Sequence, residues 1–222
     1  MTRKLFDQEL NELHEELTEL GNLVDERMEK TIQALRNMDL ELAHEVASSD
    51  SEIDHKEHEL EGECLSLIAL QQPIAKDLRT IAACLKVLTD IEREGDQCAD
   101  ICEIICTGEL NPNSLVLNHV LQMMEAARTM FRRAMNVFIS RDIAEAEDIC
   151  RSDDFVDNLF SKVILEVSNG LQESDNVLGE VDMLLITKYA ERMADHATNI
   201  AEWVIYIETG EHPDLNHSEG EE

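Results

Sequence analysis

The chain has 222 residues, 43% of them hydrophobic, enough to build a buried core and to exclude disorder as the default reading. Aromatics supply only 4%, with 8 glycines and 3 prolines, poor material for a sheet and good material for helices, so an all-α class is expected. Against 18 basic residues stand 49 acidic ones, a formal net charge of −31, and that field argues against direct nucleic-acid binding and against anionic lipid surfaces.

The acids are spread along the whole chain, as on a heavily hydrated surface. Adaptation to a salty cytoplasm is one cause that fits, because concentrated salt screens such self-repulsion. Six cysteines, at 64, 84, 98, 102, 106 and 150, form no C-x-x-C pair, and reduced thiols in a cytoplasmic protein are expected. The start reaches charge again at Asp7 and Glu9, leaving no apolar signal region. Stretches without a formal charge, such as Cys64 to Ala75 and Leu110 to Met124, fall short of the roughly 18 apolar residues of a membrane span, so no membrane insertion is expected.

In chain order, Leu10, Leu13, Leu17, Leu20, Val24 and Met28 alternate steps of three and four, which predicts a first helix over 5–37. Two more helices are predicted over 39–70 and 74–106, separated where Gln71-Gln-Pro73 stops the first. The run from Thr107 to Asn113 breaks the pattern and forms the joint between two halves. Beyond it, Val116, Val120, Met123, Ala127, Met130, Ala134 and Val137 predict a helix over 114–140, followed by helices over 142–170 and 175–209. A shift of 103 matches Asp39, Ala43, Ser49, Asp50 and Asp54 to Asp142, Ala146, Ser152, Asp153 and Asp157. A shift of 99 matches Glu92, Arg93, Asp96 and Ile101 to Glu191, Arg192, Asp195 and Ile200. The chain therefore reads as two copies of one unit, each an antiparallel three-helix bundle, over 1–110 and 111–210, with an acidic disordered tail over 211–222.

The repeat also points to chemistry. Glu92, Asp96 and Asp100 stand at i, i+4 and i+8 on one helical face, and Glu191, Asp195 and Asn199 repeat the spacing. Asp50/Asp54 and Asp153/Asp157 lie on the preceding helices, placed to face them. Like charges so spaced repel, and a multivalent cation among the oxygens removes the cost. Oxygen donors suit Mg²⁺, Ca²⁺, Mn²⁺ or iron, with zinc also possible. In so acidic a chain Glu-x-x-x-Asp arises by chance on solvated faces; its recurrence with a flanking arginine at matching positions of both halves carries the metal reading.

Other patterns carry less. Arg93 and Arg192 suit pairing with a neighbouring helix or with phosphate. Gly95 and Ala194 are packing positions. Cys98 and Cys102 extend the apolar stripe and match Ala197 and Ala201, which makes them small core residues and not a thiolate site. Glu41/His44 and Glu52/His55 raise the alternative of a ferritin-like di-iron oxidase, but both lie on one helix and their counterparts at 145–158 hold no histidine. There is no Walker loop, Rossmann fingerprint or nucleophile elbow.

Gln71-Gln-Pro-Ile-Ala-Lys-Asp77-Leu-Arg79, Ile91-Glu-Arg-Glu-Gly-Asp96 and Glu191-Arg-Met-Ala-Asp195-His-Ala-Thr-Asn199-Ile-Ala together resemble the PhoU family of phosphate-specific transport accessory proteins, over the chain up to about residue 210. The resemblance implies a non-enzymatic negative regulator of phosphate uptake and phosphate-starvation signalling. It also implies iron or zinc clusters on the carboxylate motifs, homodimers or larger assemblies, and partners in the ATPase subunit of a phosphate ABC transporter and a phosphate-sensing histidine kinase. An accessory regulator of a non-ABC phosphate permease is the nearest alternative. Two positions depart from the family pattern: Glu94 replaces an apolar residue and Asp100 replaces the Asn seen at Asn199. Both add negative charge beside the first motif, so the first site is expected to load before the second.

Overall fold

A computed structural model describes residues 3–49, 51–114, 116–170 and 176–211. These form α1 (Arg3–Asn37), α2 (Leu40–Ser48), α3 (Ser51–Gln71), α4 (Lys76–Cys106), α5 (Leu117–Ser140), α6 (Ile143–Gly170) and α7 (Val177–Thr209), with no strand among the described residues. The fold is all-α: α1, the α2–α3 pair and α4 make one bundle, and α5, α6 and α7 make its pseudo-symmetric partner. The apolar stripe read on α1 is buried from Leu13 to Met28, as is that of α5 from Val120 to Val137. No helix among the described residues is long and apolar enough to cross a membrane.

The two halves share their corners. Met38 (φ 51°) and Arg141 (φ 62°) both take the left-handed conformation, unusual for residues with a Cβ. Each is followed by an aspartate that caps the next helix: Asp39 accepts from the Glu41 and Leu42 amides, and Asp142 from those of Ala144 and Glu145. Behind each corner an arginine ties the first helix to the second. Arg27 donates to Ser49 Oγ at 2.9 Å and Arg133 to Ser152 Oγ at 3.2 Å. Arg141 lays its guanidinium over the Phe138 ring, 4.4 Å from the centroid, and donates to His14 at 3.3 Å. Burial, and secondarily that cation, holds His14 down at about 4.

The helix expected over 39–70 is two elements, α2 and α3. Ser48 Oγ donates to the carbonyls of His44 and Glu45, while the hydroxyl and the amide of Ser49 both turn onto Val46 O. A serine pair therefore competes with the helix's own ladder. In the second half Arg151 stands where Ser48 does, and α6 runs through. The helix expected from 74 begins at Lys76, after left-handed Gln72 and Ala75 (φ 50° and 48°) on either side of Pro73 and Ile74. Residues 171–175 and 212–222, hence nearly all of the expected tail, lie outside the described residues.

The halves meet along α4 and α7, and α1 lies against α5. Arg128 forks onto Asp25 at 2.7 and 3.0 Å and reaches Glu29 at 3.0 Å, a bidentate clamp across the α1–α5 contact. In the α4–α7 seam Asp90 accepts from Asn199 at 3.2 Å and meets His196 Nδ1 at 2.9 Å. Tyr189 stands beside Asp100, which after burial helps to raise its phenol, and the two are the counterparts of Asp90 and Asn199 under the shift of 99. Beside these, Glu94 is fully buried and Gln97 nearly so, and neither side chain has a hydrogen-bond partner.

Candidate metal centres

In the first bundle α3 and α4 approach closely because Gly95 has no side chain. A Cβ there would stand 2.9 Å from Ile53 Cδ1. This approach carries Asp54 of α3 onto Glu92 and Asp96 of α4, and one carboxylate oxygen from each lies within 4.8 Å of the others. All three are half-buried. Burial, and next Asp96, raises the Glu92 carboxyl above its ordinary value. Without a cation, Arg93 answers part of this charge, at 3.3 Å from Glu92 and 3.0 Å from Asp96. Both of these ion pairs of Arg93 are made on its own helix.

A fourth acid joins the group. Glu57 is buried, one turn on from Asp54, and its carboxyl is raised by burial and by Glu61. Glu57 in turn helps to raise Glu92. The sequence carried a signal for it, since Asp54-x-x-Glu57 shares a face at i, i+3. Comparison of the halves hid it, because the counterpart of Glu57 is Phe160.

In the second bundle Asp153 and Asp157 of α6 share their field with Glu191 and Asp195 of α7. Asp153 is pushed up to about 7, by burial first and then by Asp157, Asp195 and Glu191. Asp195 rises to about 6, by burial and then Glu191, with Lys188 opposing. Burial, followed by Glu191, also raises Asp157. One oxygen of Asp153 is buried with no hydrogen-bond partner. Lys188 pairs with Glu191 and so takes the part that Arg93 plays in the first cluster, while Arg192 is exposed. The two clusters differ in kind. The first has three half-buried oxygens already within reach of one ion; the second is wider, with Asp153 buried and Asp157 exposed. By that measure the first cluster is the more compact of the two.

Not every candidate converges. Asp50 lies outside the described residues. Asp100 and Asn199 are drawn into the α4–α7 seam, onto Tyr189 and Asp90. The cysteines are all free, and five are buried. Burial pushes the Cys98 thiol well above its usual range and Cys102 to about 11; thiols held protonated are poor metal ligands. Cys150, close to Asp153, is pushed up to about 12, by burial and then by Glu202. His44 and His55 are exposed, so the inward imidazoles of a ferritin-like site are not formed by these two.

Comparison with known proteins follows the same lines. The chain matches the family model described as PhoU domain twice, over residues 7–105 and 120–204. It is 33% identical to a phosphate-specific transport system accessory protein PhoU homolog of Clostridium acetobutylicum, over 97% of this chain and 100% of that one. A homolog of the same description from Streptococcus pneumoniae serotype 4 is 31% identical over 96% and 100%. Among solved structures, PhoU from Pseudomonas aeruginosa superposes with a TM-score of 0.88 at 28% identity, over 93% of this chain and 100% of that one. The phosphate transport system regulatory protein PhoU from Streptococcus pneumoniae gives 0.88 at 30%, over 94% and 99%.

Proposed function

The chain belongs to the PhoU family, and from that premise we propose that it is a cytoplasmic, non-enzymatic regulator of phosphate transport. In this reading it is a metal-binding adaptor between a phosphate transporter's ATPase subunit and a phosphate-sensing kinase, and it restrains uptake when phosphate is plentiful. The relatives' shared description as accessory proteins of phosphate-specific transport supports the physiological part. The convergence of Asp54, Glu92 and Asp96 supports the metal part.

The donors fit a cation. They are all oxygens, from two helices, with a half-buried geometry and one competing guanidinium. Such a set suits iron or manganese, accepts zinc or magnesium, and lacks the imidazole and thiolate groups that zinc prefers. A bound ion would offset the repulsion among the carboxylates and brace α3 against α4. In the second bundle Asp153, Asp157, Glu191 and Asp195 would hold the ion, giving up the protons that burial keeps on Asp153 and Asp195.

The test is elemental analysis of protein purified without chelator, beside Asp54→Asn/Glu92→Gln/Asp96→Asn and Asp153→Asn/Asp195→Asn variants. Each variant is expected to lose the metal of its own cluster and keep the other. Metal content unchanged in both variants would remove the assignment. Co-purification with a non-ABC phosphate permease alone would redirect the partner.

A further inference from the structure

The outer face of the first bundle carries a groove between α1 and α3. One stretch, of about 470 Å³, has walls of Glu9, Glu12, Glu16, Glu59 and Glu63 over Leu67 and Leu70. A second, of about 360 Å³, continues it past Glu15 and Glu19 to Leu60, sharing Glu12, Glu16 and Glu59 with the first. Leu70 is 68% exposed and Leu65, on the same helix, 58%.

Counter-charges are few among these glutamates, His55 meeting Glu59 at 3.4 Å on the exposed face of α3. Lys56 is the single cation lining the groove. Among the described residues no lysine or arginine forms an ion pair with Glu12, Glu16, Glu59 or Glu63. Crowding is felt at Glu63, whose carboxyl is raised by burial and then by Glu16, Glu59 and Glu12. Elsewhere on α1, Asp7 is paired with Arg3, and Asp25 and Glu29 with Arg128.

The second half serves as an internal control. Arg27/Ser49 and Arg133/Ser152 make the same contact, which fixes the correspondence of α1 with α5 at a shift of 106. Under it, Glu12 and Glu16 become Asn118 and Gln122, while the shift of 103 that relates α3 to α6 turns Glu59 and Glu63 into Lys162 and Glu166. There the remaining acid is neutralised. Glu166 meets His119 at 2.9 Å, and His119 meets Lys162 at 2.9 Å. A surface made acidic only for hydration would be acidic on both halves. Here one of two equivalent grooves carries glutamates on both walls with Lys56 as its one lining cation, and the other is balanced.

From this asymmetry we propose that the α1–α3 groove docks a basic amphipathic helix of a partner protein. Its apolar side chains would pack on Leu70, exposed beside the nearly buried Leu60 and Leu67, and its lysines and arginines would pair with the glutamate walls. Glu9 to Glu19 spans about 15 Å of helix, so the groove takes about three turns. A second copy of this chain, at −31, brings the wrong charge. The proposal gives the adaptor reading a surface and rests on that half of it alone; metal plays no part.

The probe is a synthetic 18-residue lysine/leucine amphipathic peptide, titrated into the full chain in 0.15 M salt and followed by fluorescence anisotropy. The variant Glu12→Gln/Glu16→Gln/Glu59→Gln/Glu63→Gln is set against a charge-matched control, Glu26→Gln/Glu52→Gln/Glu103→Gln/Glu109→Gln. The groove variant is expected to weaken binding about tenfold or more and the control less than about twofold; Leu70→Ser should weaken it about threefold. Equal weakening by both quadruple variants would mean a delocalised field and would overturn the proposal. So would absence of binding, or a groove variant whose effect is to change the oligomeric state of the free chain. Metal content read on the same variants separates the two readings, because the groove variant leaves the carboxylate clusters intact.

Discussion

Glu94 offers the sharpest test of the packing argument. It is fully buried in the α4–α7 seam, and neither oxygen has a hydrogen-bond partner. Its counterpart in the second half is Met193, equally buried. Replacing an unsatisfied buried polar group by an apolar one of similar size should recover about 1–3 kcal/mol, so Glu94→Met is expected to be more stable than the natural chain. The gain must depend on pH with a definite sign. Burial, and then Asp90, raises the Glu94 carboxyl well above its ordinary 4.5, so the folded chain keeps the proton while the unfolded chain releases it. The natural protein is then fully favoured by this group only below about pH 4.5, and loses about 1.4 kcal/mol per pH unit above it until the folded carboxyl ionises. Urea unfolding of both chains at pH 5, 6 and 7 should give a difference that widens as pH rises, by at most that slope, and Glu94→Gln should abolish the pH dependence while keeping most of the polar cost. A difference that is flat with pH, or a less stable Glu94→Met, would refute the reasoning.

Three further outcomes follow from the site and its frame. Arg93→Gln removes the cation that competes for Glu92 and Asp96, and should raise the affinity of the first cluster for Mn²⁺ several-fold by calorimetry. Metal uptake at the second cluster should release protons near neutral pH and weaken as pH falls from about 7 through about 6, because Asp153 and Asp195 are held protonated there; titrations in buffers of different ionisation enthalpy measure the proton count. In the joint between the halves, a Cβ on Gly179 would run into the Glu109 carbonyl oxygen and the Asn176 side chain, which caps α7 by accepting from the Gly179 amide and donates to Glu109 at 2.6 Å. Gly179→Ala should therefore cost about 2 kcal/mol and lower the melting temperature by several degrees.

The repeat was legible because packing imposes it. The small residues Gly95 and Ala194, the aspartate caps after Met38 and Arg141, and the acid pairs Glu92/Asp96 and Glu191/Asp195 recur at fixed offsets, and a chain read against itself reveals them. The break between α2 and α3 was not legible, since two serines in a row are compatible with a helix until their hydroxyls turn back on it. The reach of the clusters was misjudged for a geometric reason. Each residue advances about 100° around a helix, so Asp96 sits about 40° from Glu92 but Asp100 about 80°. Counted from Asp90, which faces α7, Asp100 is again about 80° away. It therefore stands midway between the face toward α3 and the face toward α7, and periodicity cannot say which neighbour it meets. Tyr189 takes Asp100 on one side of the seam, as Asp90 takes Asn199 on the other. Which helix supplies the nearest polar partner is a property of the assembled halves. The same holds for Glu57, whose place beside Glu92 depends on how closely Gly95 lets α3 approach α4.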